Sequence, residues 1–530
     1  MNSLSTFFTN ISDWANSYGI SFSSEKLLDL LSYQKEAPLL FSSGLFFFLF
    51  LGFLVLYILL RKKTTARIVY VTLFSLYFYY KCSGLYVGLL ILISITDFLI
   101  SHGLRRTENA WKRKLWVVLS LFIDLGILGY FKYFNFLMSS VAGFLSFYNV
   151  RIGDSIGLSS SMTSWQPLDI FLPVGISFFT FQTISYVIDV YRKKIEPVHK
   201  WFDYLFYVSF FPQLVAGPIV RAVDFIPQIY RNIVVTHREF GEGLFLIICG
   251  LFKKAVISDY ISINFVDRIF DAPLLYTGVE NLLGVYGYTL QIYCDFSGYS
   301  DMAIGIALWL GFRFNINFRS PYQSATITEF WRRWHISLST WLRDYLYISM
   351  GGNRKGRIRM YINLMITMLL GGLWHGASIR FILWGGLHGL ALAVHKFFMI
   401  HFPSAFKPEG YMMKPWRQVI GVILTFHLVC FGWILFRASS MQTVGEVLTQ
   451  IFTNFHPEVF LQFIVGYKIV FILMVLGYLI HFMPKKLDES IQSFVTRSPL
   501  VLQAFLLAAA IFIIVQFKSA GVQPFIYFQF

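Results

Sequence analysis

Residues 39–60, LLFSSGLFFFLFLGFLVLYILL, carry no charge and run straight into Arg61, Lys62 and Lys63. A run of that length crosses a hydrocarbon core ~30 Å thick. Inside lipid every backbone polar group must be paired within the protein, so a chain built from such runs folds as helices or as a closed barrel. Continuous apolar stretches, rather than alternating ones, select helices. Composition agrees. The 530 residues are 56% hydrophobic and 14% charged, against about 25% charged in a soluble domain, and the mean hydropathy is +0.61. The expected fold class is all-α, a polytopic transmembrane helical bundle.

Further candidate spans fall at 68–80, 83–101, 115–137, 170–190, 203–219, 243–260, 281–311, 358–374, 378–396, 418–436, 466–484 and 498–517. The 281–311 stretch is long enough to be broken. The expected total is about 11 to 13 membrane segments, re-entrant pieces included. Basic clusters occupy 61–67, 105–114, 192–200, 354–359, 396–417 and 485–497. If each lies in the cytoplasm, the intervening segments pair as hairpins over 68–101, 115–190, 358–396 and 418–484. The N-terminus, a Ser/Gly-rich loop at 138–168, a loop at 438–464 and the C-terminus then face outward. This divides the chain into an extracytoplasmic segment (1–38), a transmembrane core (39–484) and a cytoplasmic segment with a last span and tail (485–530). Met1 to Lys35 lacks the basic start of a cleavable signal.

The net charge of +16 does not point to nucleic acid. The basic residues sit at span ends, where they set topology and meet anionic lipid headgroups. Cys82, Cys249, Cys294 and Cys430 are far apart and read as buried thiols, without disulfide or metal spacing. Cys294 is the residual candidate for a covalent nucleophile. His375, His388 and His395 lie near one another without a carboxylate, so no metal site is expected. HExxH, the phosphate-binding P-loop and GxSxG are absent from the sequence. FSGYSD (296–301) offers Ser297, Ser300 and Asp301 without a recognisable nucleophile setting. Asp97, Asp124 and Asp189 sit in or near apolar segments, where they pair with polar groups or serve a proton pathway.

The densest polar stretch is TITEFWRRWHISLSTWLRDYLYISMGGNR (326–354). Thr326 and Glu329 fit a capping box, and Gly351 and Gly352 suit a helix end. Trp331, Trp334, Leu338, Trp341, Tyr345 and Ile348 recur at helical spacing. Arg332, Ile336, Ser339, Arg343 and Tyr347 share another face, with His335 one turn from Ser339. Two readings compete. One is an amphipathic helix in the membrane interface, tryptophans in lipid and arginines in water. The other is a helix lining a polar cavity, with Arg332, His335, Ser339 and Arg343 inward, Asn353 and Arg354 close behind, and an anionic ligand between them.

A second histidine, His375, lies in GGLWHGAS (371–378), at the join of two apolar segments. A histidine there can be a hydrogen-bonded packing residue. Ionisable groups inside a membrane, however, usually mark a site. Gly371, Gly372 and Gly376 leave room for a close approach. Burial favours the neutral imidazole that a general base requires. The same GG pattern returns in GGLHG (385–389).

The stretches FLPVGISFFTFQTISYVIDVYR (171–192), FPQLVAGPIVR (211–221), QIYCDFSGYSDMAIGIALWLGF (291–312), FWRRWHISLSTWLRDYLYISMGGNR (330–354) and GGLWHGAS resemble the membrane-bound O-acyltransferase family, in its bacterial alginate O-acetyltransferase branch. That branch includes the membrane subunits of peptidoglycan O-acetylation and, more distantly, the D-alanyl transfer protein of teichoic acids. The resemblance covers roughly residues 40–480. It implies His375 as the catalytic histidine and His335 as the second. It also implies a donor such as acetyl-CoA or another acetyl thioester, used as substrate rather than as a resident cofactor. The implied acceptor is an exported glycan, reached directly or through a periplasmic SGNH-type acetyltransferase partner, in a bacterial inner membrane. Transfer from thioester to alcohol needs a base for the hydroxyl and donors for the oxyanion. Trp374 Nε1, His335 or backbone amides near the glycines could be those donors. A transporter of acyl donor or glycan, or a scaffold, remains the competing class.

Overall fold

The computed structural model describes residues 29–35, 37–152, 166–406, 414–517 and 526. Among them every regular element is helical. Among the described residues, five helical stretches are long and apolar enough to cross a membrane alone: Thr64–Arg106, Ala110–Phe144, Ile379–His401, Pro415–Arg437 and Leu500–Phe517. Val459–Gly466 and Lys468–His481 make a sixth if counted together, bent by 95°.

The charge-free run forms the Gly44–Leu60 helix, whose first turn is capped by Ser43 accepting from the Phe46 amide. Phe46, Phe50, Phe53 and Tyr57 form its buried stripe, at the spacing one helix face demands. Phe48, Leu51 and Leu59 remain exposed, as a lipid-facing side should be. Tyr57 donates to the Leu310 carbonyl at 2.5 Å, which ties this helix to the centre.

Several expected boundaries move. The 68–101 segment is not a closed hairpin. Thr64–Ser83 and Val87–Arg106 meet around Gly84 and both pack on Trp201–Ser209. The expected loop from 138 is helical as far as Ile152, because nothing in FNFLMSSVAGFLSFYNVRI forbids helix. Ser140, for instance, folds its hydroxyl onto the Phe136 carbonyl one turn back. Residues 153–165 of that loop lie outside the described residues. The 203–219 stretch is a short helix, a single turn and extended chain rather than a span; Pro212 and Pro218 cannot continue a helix hydrogen-bond ladder. The 438–464 loop contains the Ser440-capped helix Met441–Thr453 and the start of the bent pair.

The 281–311 stretch is unbroken. Gly278–Trp309 is a single helix of 32 residues and forms the centre of the bundle. Its glycines mark contacts instead of breaks. A Cβ on Gly298 would stand 2.7 Å from the Gly250 carbonyl, and one on Gly305 would stand 2.5 Å from the Gly243 carbonyl. The two pairs, seven residues apart, let the helix His237–Leu251 lie directly on the central one, the small-residue contact that membrane helices use.

The hairpin that carries His375 uses the same device. Arg357–His375 and Ile379–His401 run antiparallel through a turn at Gly376–Ser378. A Cβ on Gly372 would lie 2.2 Å from the Phe381 carbonyl, and one on Gly385 would lie 2.3 Å from the Met368 carbonyl. The two echoing GG motifs are therefore the two halves of one helix crossing.

Candidate active site

The chain reaches the site by turning back into the core after the central helix. Gly311 takes φ +79° and Ser320 φ +41°. Tyr322 donates its hydroxyl to the Thr289 carbonyl at 2.6 Å. Thr326 then caps the helix Ile327–Arg333, accepting from the Glu329 amide at 3.1 Å. The Glu329 carboxylate accepts from the Ala325 amide at 3.0 Å, one residue before the partner a capping box would use.

The polar stretch is not one continuous helix. It ends at Arg333, His335 adopts a left-handed φ of +41°, and helix resumes at Ile336. Such a backbone is strained for a side chain larger than Gly, and strain of this kind collects at functional sites. The neighbouring extended chain holds the break open. The Arg319 amide donates to the Arg333 carbonyl and the Ile336 amide to the Asn317 carbonyl, both at 2.9 Å. Beyond Trp341 the segment Leu342–Tyr347 is π-helical. The shared face expected for Arg332, Ser339 and Arg343 is therefore lost.

The interfacial alternative also fails, since Trp334, Leu338, Trp341 and Tyr345 are buried in protein. Trp341 stacks on Phe181 with ring centres 3.9 Å apart. Ile348 is the exposed exception.

Asn317, which the sequence reading did not single out, settles the chemistry of His335. Its side-chain oxygen accepts from the Ser337 amide at 3.2 Å and the Ser337 hydroxyl at 2.9 Å. A backbone amide can only donate, so this atom is the oxygen and not the nitrogen. Asn317 Nδ2 then donates to Ser300 Oγ at 3.1 Å. His335 Nδ1 lies 3.1 Å from the same oxygen and must carry the proton. In a neutral imidazole the other nitrogen is then a bare acceptor. That nitrogen, Nε2, is buried and has no hydrogen-bond partner among the described residues. Phe296, Phe318, Phe178 and Trp374 surround the His335 ring, with centre-to-centre distances of 4.6, 6.2, 6.4 and 6.2 Å.

His375 ends the helix Arg357–His375 and is 2% exposed. Its ring makes edge contacts with Trp374 (4.9 Å), Trp384 (5.0 Å) and Phe436 (5.2 Å). Trp374 thus lies beside both imidazoles, with ring centres 6.2 Å from His335 and 4.9 Å from His375. The flanking glycines do not leave space for a ligand. Gly372 meets Phe381 and Gly385, Gly376 meets the Phe381 ring, and Gly371 meets Leu342. His388, considered earlier only as a metal ligand, is buried behind Trp384 with ring centres 4.7 Å apart.

The remaining candidates scatter. Trp374 Nε1 donates to the Ser177 carbonyl at 3.4 Å, so it points at backbone rather than at an oxyanion. Ser339 donates to the Trp334 carbonyl at 3.2 Å. Arg343 is exposed and binds Asp344 at 2.6 Å, and Asp344 also pairs with Arg221 at 2.8 Å. Burial alone would raise the Asp344 carboxyl, but these guanidiniums hold it below its usual range. Arg332, Asn353 and Arg354 are exposed, the last two beside the positive-φ pair Gly351 and Gly352. Asp97 accepts from Ser120 at 2.8 Å, Asp124 from Thr183 at 3.1 Å and Asp189 from Tyr345 at 2.6 Å. Asp301 pairs with Lys253 at 2.7 Å, and Cys294 is buried.

The described residues form a bundle of apolar helices with two buried histidines beside one tryptophan. The family description "membrane-bound O-acyltransferase family" matches residues 193–440. The probable alginate O-acetylase AlgI of Pseudomonas syringae pv. tomato is 40% identical over 423 residues, covering 78% of this chain and 75% of that protein. A peptidoglycan O-acetyltransferase of Helicobacter pylori is 36% identical over 453 residues, covering 80% and 81%. A teichoic acid D-alanyltransferase of Bacillus subtilis is 27% identical over 417 residues, covering 74% and 97%. The chain belongs to the membrane-bound O-acyltransferase family. It is a multi-pass membrane protein and an acyltransferase.

Proposed function

We propose that this enzyme O-acetylates an exported polysaccharide, alginate or a similar glycan, taking the acetyl group from a cytoplasmic thioester such as acetyl-CoA. It would do so in the bacterial inner membrane, with its N-terminus outside, directly or through a periplasmic SGNH-type acetyltransferase. The names of the relatives at 40% identity support the acceptor class. The observation that carries the reading is the pair of buried imidazoles on Trp374, one of them with an acceptor nitrogen assigned by its network.

In this reading the acceptor hydroxyl sits between the two rings. His335 Nε2 accepts a hydrogen bond from a neighbouring hydroxyl of the same glycan and so aims the reacting oxygen, whose own proton faces His375. His375 takes the proton as the oxygen attacks the thioester carbon. The new C–O bond forms, the C–S bond breaks, and the departing sulfur recovers the proton from His375. General-base help of this kind contributes ~10²–10⁴-fold, and the fixed geometry adds to it. Peptidoglycan is the alternative acceptor, supported by the relative at 36% identity.

Asn317→Leu tests the orientation. It removes the acceptor that keeps the proton on His335 Nδ1, so both tautomers become available. Acetyl transfer by the purified protein in nanodiscs, normalised to monodisperse protein, is expected to fall by roughly 10²-fold. Transfer at the wild-type rate would refute the part given to His335.

A further inference from the structure

Lys132 is the one Lys or Arg between residues 115 and 144 of the helical stretch Ala110–Phe144, the kind of group a membrane span does not carry without use. It lies in the π-helical turn Gly129–Tyr133. Its ammonium donates to the Trp374 carbonyl at 2.7 Å and to the His375 carbonyl at 3.0 Å. The adjacent Tyr133 hydroxyl donates to the Leu373 carbonyl at 2.9 Å. Two neighbouring side chains therefore hold the last three carbonyls of the helix that presents His375.

A helix end leaves its final carbonyls without partners, and the usual remedy is a left-handed glycine just beyond it. That remedy is absent here. Gly376 is extended, with φ −164°, because the chain passes at once into the next helix. The end is capped from another part of the chain instead, by the N–H donors of a lysine. Lys132 also stands 5.9 Å over the Trp374 ring, the ring that lies beside both histidines. A π turn replaces the ordinary register of an α-helix and often accompanies a functional site.

We propose that Lys132 is a positioning residue for His375. It clamps the end of the His375 helix, and with it Trp374, so that the imidazole keeps its place beside the acceptor. The role rests on the function proposed above, but the clamp can be measured without activity.

The test uses the full-length protein in nanodiscs, with Lys132→Met, Lys132→Arg and Tyr133→Phe. A misplacement of about 1 Å can cost ~10²-fold in rate. Lys132→Met is therefore expected to lower kcat by about that factor, with KM for acetyl-CoA and for the acceptor little changed. Lys132→Arg should recover much of the loss, and Tyr133→Phe should have a smaller effect. Fluorotryptophan labelling, with the Trp374 resonance assigned through Trp374→Phe, reads the clamp directly. That resonance should shift in Lys132→Met and return in Lys132→Arg. An unchanged kcat and an unchanged Trp374 resonance in Lys132→Met would overturn the proposal. So would a loss of kcat that only follows a loss of folded protein across all three variants. If His375→Ala proved fully active while the Trp374 resonance still responded to Lys132, the function reading would fail and the clamp would stand.

Discussion

His375→Ala is expected to reduce acetyl transfer by about 10³-fold or more, the upper part of the range for loss of a general base, while the bundle remains folded. The ring is enclosed by Trp374, Trp384 and Phe436, so its removal leaves a void and lowers the melting temperature. The fold does not depend on that ring. The Lys132 contacts are to main-chain oxygens, and the hairpin is closed by glycine contacts elsewhere. His375→Gln keeps most of the volume and separates the two effects. It should melt closer to wild type and remain inactive, because an amide cannot accept the proton. Rates measured per monodisperse protein decide the matter. An active His375→Gln would remove the base from the mechanism.

Gly385→Ala should have the larger effect on the fold. The added Cβ would stand 2.3 Å from the Met368 carbonyl and 3.2 Å from the Gly372 Cα. Both neighbours are backbone, so the two helices of the hairpin must separate. His375 lies at the end of one of them, and the wall formed by Trp384 lies on the other. We expect loss of monodisperse protein on fluorescence-detected gel filtration, and little activity in any that survives. Gly386→Ala is the internal control, one residue along. Its Cβ meets only the Leu369 side chain, at 3.6 Å, and alanine favours helix over glycine by ~1 kcal/mol. It should fold as well as wild type or better. Equal tolerance at both positions would mean that the crossing is not as close as described.

These contrasts show where sequence reasoning sufficed. The apolar runs declared a helical membrane bundle because hydrocarbon permits few alternatives. His335 and His375 stood out as ionisable groups in aromatic, apolar text, and they do share Trp374. The break at His335 was not legible. Trp331, Trp334, Leu338, Trp341 and Tyr345 keep a helical rhythm across it, and the left-handed residue is a histidine rather than a glycine. What holds the break open is extended chain around Asn317, a contact between segments that periodicity does not report. The glycines beside His375 suggested room for a ligand, whereas each is filled by a packing neighbour. A missing side chain reads the same whether a substrate or another helix occupies the space. Lys132 did carry a signal, a cation in an apolar run, but its partners are backbone atoms more than two hundred residues away. The common face expected for the arginines is lost for a related reason. Their shared face assumed one straight helix, and the chain bends out of it at His335 and again at the π-helical turn.

The central claim is that an acetyl group offered at the cytoplasmic face passes His375 to an acceptor beyond the membrane. Inside-out membrane vesicles containing the full-length protein and the glycan test it most directly. Labelled acetyl-CoA is supplied outside, at the exposed cytoplasmic face, and label is counted on the enclosed polysaccharide. The account predicts labelled polysaccharide with the wild-type protein and background label with His375→Gln at equal protein. Equal labelling by the two would contradict it.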